Sequence, residues 1–174
     1  MIPKKIFLTK GKGMHKHRLQ SFELALRDAG IERCNLVHVS SIVPSQCKLI
    51  SKSEGISCLN AGQITFCVLA VHRTKRENQR IGAAIGVAMP KEKTGHGYIA
   101  EYHQNNCSSD NLHRHVEDLA VRMFATTKGL KEDEHSIPLS AFRKTCDVSS
   151  VIEYVTQTKK DTWTTVLASA VFLM

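Results

Sequence analysis

NLVHVSSIVP, residues 35–44, joins a β-branched run to a pair of serines and a proline stop. The run from Asn35 to Ile42 predicts a strand, and Pro44, which has no N–H to give a central ladder, marks its limit. Ser40 and Ser41 therefore fall near a strand end. Serine pairs are common in ordinary turns, but one at a strand end has a chemical option. The Oγ of Ser41 can attack the carbonyl carbon of Ser40 and convert the peptide link to an ester, given a base, an oxyanion donor and strain.

Outward from this segment the chain alternates between strand and helix patterns. Residues 4–9 predict a first strand, followed by a glycine- and lysine-rich loop. Leu19, Phe22, Ala25, Leu26 and Ala29 recur at helical spacing over 18–29, with Gly30 placed for a left-handed cap. Residues 63–72 and 80–90 predict buried strands. The second is rich in Gly and Ala, which suggests close approach of another layer or subunit. Residues 97–103 predict a further strand. Leu112, Val116, Leu119, Ala120, Met123 and Phe124 define a second helix over 109–128 that stops before Gly129. Strands at 148–157 and 163–174 close the chain. Two helices with faces to cover and about seven strands imply an α/β sandwich of sheets flanked by helices, in a single domain spanning 1–174.

Composition narrows the classes. The chain has 174 residues, long enough for one substantial core, and 42% of them are hydrophobic. No apolar uncharged run approaches the ~18 residues of a membrane span, and no secretory leader is legible, so a soluble cytoplasmic protein with no membrane partner is expected. The net charge of +8 and pI near 9.3 raise nucleic acid as a partner. The densest basic segment, 4–18, carries one aromatic and no reader motif, and it lacks the Gly-Lys-Ser or Gly-Lys-Thr ending of a phosphate loop, so a solvated loop and no nucleic acid are expected. Cys34, Cys47, Cys58, Cys67, Cys107 and Cys146 show no Cys-x-x-Cys spacing and are read as reduced thiols. His113 and His115, two apart on a helix, point about 200° apart and cannot chelate together. No metal site is expected.

LQSFELALRDAGIERCNLVHVSSIVP (19–44), VAMPKEK (87–93), YIAEY (98–102) and the small-residue C-terminal strand together resemble the pyruvoyl-dependent arginine decarboxylases, in the same order and with similar spacing, from about residue 5 to the end. The resemblance implies an αββα architecture and trimers of processed protomers with active sites between neighbours, for which the small residues of 82–88 offer packing surface.

It also implies a chemistry. Cleavage between Ser40 and Ser41 gives a β chain of 1–40 and an α chain of 41–174. Elimination from the ester and hydrolysis turn residue 41 into a pyruvoyl group, a covalent electron sink that replaces pyridoxal phosphate (PLP) without a metal. L-Arginine condenses with it as a Schiff base, loses CO2 and leaves as agmatine. The matching positions make Glu101 the proton donor to the carbanion and Asn35 a processing and active-site residue, able to hydrogen-bond the oxyanion at the Ser40 carbonyl. Glu101 shares a strand face with Ile99, so its burial is plausible. Glu23 stands where the family has an aspartate for the guanidinium, one methylene longer. Ser45 stands where the family often has a second proline. His38 alternates onto the face of Ser40 but stays outside the catalytic set. Two alternatives remain open from the residues: a non-processing relative that serves as an assembly or interaction subunit, and a decarboxylase of another amino acid.

Overall fold

The computed structural model of the chain describes residues 1–92, 94–129 and 139–174. The elements in chain order are β1 (Lys5–His15), α1 (Arg18–Ala29), β2 (Asn35–His38), β3 (Ile42–Val43), β4 (Lys48–Ile50), α2 (Lys52–Ser57), β5 (Ile64–Thr74), β6 (Arg80–Pro90), β7 (Gly97–Asn105), α3 (Ser109–Thr126), α4 (Leu139–Arg143), β8 (Cys146–Thr156) and β9 (Trp163–Leu173). The strands form two sheets. Sheet A has the order β2-β5-β9-β1-β4 and sheet B the order β3-β7-β6-β8.

Near-continuous apolar runs in β5, β6 and β9 leave each sheet with two apolar faces, which is why four layers form. Ile6, Val68, Ala70, Val166 and Ala168 of sheet A meet Ile81, Ala83, Ile85, Val87 and Ile99 of sheet B in the central core. The outer face of sheet A packs on α1 through Phe7, Cys67, Leu167, Ala25 and Ala29, and that of sheet B packs on α3 through Ala84, Ala88, Leu112, Val116 and Ala120. The αββα sandwich expected from the sequence is present, in one unit.

Three expectations are corrected. First, the lysine-glycine segment after residue 9 is strand, not loop: β1 pairs with β9 all the way to His15. Its glycines are needed because α1 lies directly on them. A Cβ at Gly11 would stand 2.1 Å from the Ala25 carbonyl oxygen, and one at Gly13 would stand 2.3 Å from that of Ser21. Lys10 points the other way and pairs with Glu153 of β8 at 3.6 Å. Second, the small residues of β6 serve the protomer's own layers and not a subunit contact. A Cβ at Gly86 would lie 2.4 Å from the Val116 carbonyl oxygen of α3, and Ala83, Ala84 and Ala88 are fully buried. Third, the predicted strand 35–42 is broken: its first half belongs to sheet A and its last residue to sheet B.

The helix ends follow their sequence signals. Gly30 caps α1 at φ 80°, and the Ile31 N–H closes back on the Leu26 carbonyl at 3.1 Å. Ser108 caps α3 by accepting from the Asn111 N–H at 3.3 Å. Lys93 of the VAMPKEK stretch lies outside the described residues.

Candidate active site

The break between β2 and β3 is where the Ser40–Ser41 peptide sits. On one side, the Val39 N–H donates to the Cys67 carbonyl of β5 at 3.0 Å, the last tie to sheet A. On the other, the Ile99 N–H of β7 donates to the Ser41 carbonyl at 2.7 Å, the first tie to sheet B. Two peptide bonds, Val39–Ser40 and Ser40–Ser41, thus bridge the two sheets, and a hydrogen bond to each sheet holds the ends of the bridge. Ser40 is exposed and Ser41 half-buried.

Between these anchors the Ile42 N–H donates to the Ser40 carbonyl oxygen at 3.0 Å, closing a three-residue turn around Ser41. This is the carbonyl that the Ser41 hydroxyl would attack. A backbone N–H already aimed at its oxygen is placed to receive the charge that develops there. Sequence reading missed this donor because a backbone amide carries no residue signature; only the turn reveals it.

Glu101 lies two residues beyond Ile99 on the same face of β7, one strand period or ~7 Å along. It is exposed, not buried as its alternation with Ile99 had suggested. Its cross-strand partner Ile85 is in the central core, but at Glu101 the margin of the sandwich is open. Further along the same face come His103 and Asn105. The His103 ring lies 5.0 Å from that of His72 on β5, and His72 Nε2 is 2.8 Å from Asn105 Oδ1. The period-2 rule that placed Glu101 would have found these residues too.

Asn35 and Glu23 are elsewhere in the protomer. Asn35 starts β2, five residue steps or ~16 Å of extended chain from Ser40, and its side-chain N–H donates to the Gly62 carbonyl at 2.8 Å. Glu23 is on α1, across sheet A, where it accepts from the Nε of Arg27 at 3.1 Å. His38 shares the α1-facing side of β2 with Leu36, away from Glu101. The structure therefore brings Ser40, Ser41 and Glu101 together, and leaves Asn35 and Glu23 apart from them within one chain. Beyond Pro44 a cavity of about 530 Å³ opens between Cys47, Val87, Met89 and Asp147. It reaches neither Ser41 nor Glu101.

Other candidate groups have structural partners. His113 Nδ1 is 2.9 Å from Ser150 Oγ, which donates to Glu117 at 2.8 Å, while Arg143 donates to Glu117 and Asp118 at 3.2 and 3.0 Å. This half-buried network ties α3 and α4 to β8. Among the described residues no three His, Cys, Asp or Glu side chains are gathered to hold a metal ion. No helix of the described residues is long and apolar enough to cross a membrane. The six cysteines are free thiols, and burial pushes Cys47 and Cys67 up to about 11.

Comparison with known proteins places this geometry. The family model for pyruvoyl-dependent arginine decarboxylases matches residues 5–174. A probable pyruvoyl-dependent arginine decarboxylase of Chloroherpeton thalassium is 43% identical over 99% of this chain and 98% of its own. The pyruvoyl-dependent arginine decarboxylase of Methanococcoides burtonii is also 43% identical, over the full length of both chains. A probable one from Chlorobium limicola is 51% identical over 76% of this chain and 73% of its own.

Proposed function

We propose, from the premise that this chain belongs to the pyruvoyl-dependent arginine decarboxylase family, that it cuts itself between Ser40 and Ser41 and then converts L-arginine to agmatine and CO2. The single observation that carries the self-cleavage is the Ile42 N–H held at 3.0 Å on the Ser40 carbonyl oxygen, next to the Ser41 hydroxyl.

In the first step Ser41 Oγ bonds to the Ser40 carbonyl carbon, the C–N bond breaks, and the freed nitrogen takes a proton. The product is an ester. Loss of the Ser41 Cα proton then expels Ser40 as a carboxylate and leaves a dehydroalanine. Water replaces its nitrogen as ammonia, giving the α chain 41–174 a pyruvoyl end and the β chain 1–40 a free carboxyl end. Because Val39 and Ser41 are tied to different sheets, the two new ends stay in place after the cut.

The residues present fit this group. The Ser41 carbonyl remains clamped by the Ile99 N–H, so the reactive end is fixed beside the face that bears Glu101. The pyruvoyl group supplies an electron-accepting carbonyl in place of pyridoxal phosphate. Glu101 delivers the proton to the substrate α-carbon after CO2 has left. A carboxyl that holds a proton near neutral pH needs partial removal from water, and Glu101 is exposed in the lone chain.

A homo-oligomer answers that requirement. With active sites between neighbours, in a trimer, a second protomer covers Glu101. Glu23, across sheet A from the protomer's own Ser41, and Asn35, ~16 Å of extended chain from Ser40, then serve adjacent sites. The Glu23–Arg27 ion pair is solvent-exposed, where water screens the attraction and such pairs hold weakly. The guanidinium of a substrate can therefore replace Arg27 as the partner of Glu23 at little cost. The extra methylene of Glu23 relative to the family aspartate sets how deep arginine sits.

Intact mass under denaturing conditions tests the proposal without a substrate. Two chains divided at Ser40–Ser41, the longer lighter by ammonia than a serine-initiated peptide, are expected, followed by agmatine formation from arginine. A single unbroken chain from active-condition preparations would refute it.

A further inference from the structure

At the end of sheet A where β1 and β5 finish and β9 begins, two guanidinium groups stand together on the α1 side with no acid between them. Arg73 is on β5, in register with Thr165 of β9, which is itself in register with Gly13 of β1. Arg18 is the first residue of α1, and the Ser21 hydroxyl holds the helix to this spot through Thr165 Oγ1 at 2.7 Å. Each guanidinium is seated on an aromatic ring. Arg73 Cζ is 4.5 Å from the Phe22 centroid, and Arg18 Cζ is 5.5 Å from that of Trp163. Held over the rings in this way, the guanidinium groups keep their terminal N–H groups for a ligand.

Neither arginine forms an ion pair among the described residues. The Nε of Arg73 is buried and has no hydrogen-bond partner. A buried, unpaired donor on a charged group is costly unless something accepts from it. Burial, and then the nearby Arg18 charge, hold Arg73 below the usual guanidinium range, the sign of a cation that lacks its counter-charge. The first turn of α1 adds to the field, since His17 gives no side-chain cap and no acidic residue follows it.

We propose that this cluster binds a phosphate-type oxyanion between the N–H edges of Arg18 and Arg73. Two forks and an uncapped helix end present more donors than one carboxylate can use, whereas a phosphate offers several oxygens and up to two charges. The site lies away from the protomer's own Ser40–Ser41 bond. Val39 is tied to Cys67 of β5, and Arg73 lies six residues further along that strand, ~20 Å away. Its side chain is also on the opposite face of the sheet from Glu101. Its positive field repels arginine, so it is no second substrate pocket.

The test is a titration of the purified protein with inorganic phosphate against chloride at matched ionic strength, read by calorimetry and by the shift in melting temperature. Saturable binding of phosphate, absent with chloride, is expected. Arg73→Met and Arg18→Met, which keep an apolar stem over the rings, should each weaken it at least tenfold, with Arg73→Lys between them and the parent. If Arg73→Met does not fold, Arg18→Met decides alone. Equal responses to phosphate and chloride, or unchanged phosphate affinity in the folded Met variants, would overturn the proposal. So would loss of the oligomer in those variants without any phosphate response in the parent, because the arginines would then pair with an acid of a neighbouring copy.

Discussion

Deleting a single backbone N–H tests the processing chemistry most sharply. Replacing Ile42 by its α-hydroxy acid turns the amide into an ester oxygen and removes the donor to the Ser40 carbonyl, 3.0 Å away, while the side chain stays. Two magnitudes follow. As an ordinary hydrogen bond at the sandwich margin, this contact is worth about 1 kcal/mol of stability, or a drop of roughly 2–4 °C in Tm for a chain of this size. As an oxyanion donor it is worth about 2.7–4 kcal/mol in the transition state, a rate loss of roughly 100- to 1000-fold. The kinetic effect thus exceeds the structural one by far. The assay follows the uncut precursor by denaturing mass spectrometry over time, with Tm measured on the same sample. Cleavage within about threefold of the parent rate, in a variant that folds, would refute the assignment of this N–H to the oxyanion.

Other outcomes follow from the same geometry. Ser41→Ala leaves one chain of full mass with a native-like circular dichroism spectrum and no decarboxylation, since nucleophile and cofactor source are both gone. Glu101→Gln keeps the shape of β7 and processes normally, but its kcat on arginine falls by about 10²–10⁴, the usual weight of a positioned acid; CO2 release measures it. Glu23→Ala raises KM for arginine at least tenfold while the cleavage rate changes little, because Glu23 is across sheet A from Ser41. Gly86→Val drives a side chain against the α3 backbone, 2.4 Å from the Val116 oxygen, and lowers stability by about 3 kcal/mol or more, read by denaturant midpoint. The raised thiol values of Cys47 and Cys67 give a pH dependence. Their contribution to stability is complete below the free-thiol value of 9.0 and is lost as pH rises through about 11, so Tm falls on that alkaline side.

The sandwich was legible wherever local pattern and burial agree. The apolar spacing of α1 and α3, the glycine stop at Gly30 and the apolar runs of β5, β6 and β9 required no tertiary information, because apolar surface on any element must be covered. The errors arose where a neighbour overrides local chemistry. Lys10, Gly11, Lys12 and Gly13 have a loop's composition, yet they are strand because α1 needs a surface without side chains to rest on. Glu101 alternates with buried Ile99 but is exposed, because burial depends on where the sandwich ends.

The sequence by itself determined the family, the serine pair and the residue types able to act on it, since motif order and strand periodicity are properties of the chain. Only the tertiary structure decided that the predicted strand 35–42 parts between two sheets at Ser40–Ser41 and aims the Ile42 N–H at the Ser40 carbonyl. It alone separated Asn35 and Glu23 from that bond, and brought Arg18 to Arg73 from 55 positions away. Sheet partners and layer order depend on contacts between distant segments, and the local sequence does not record them.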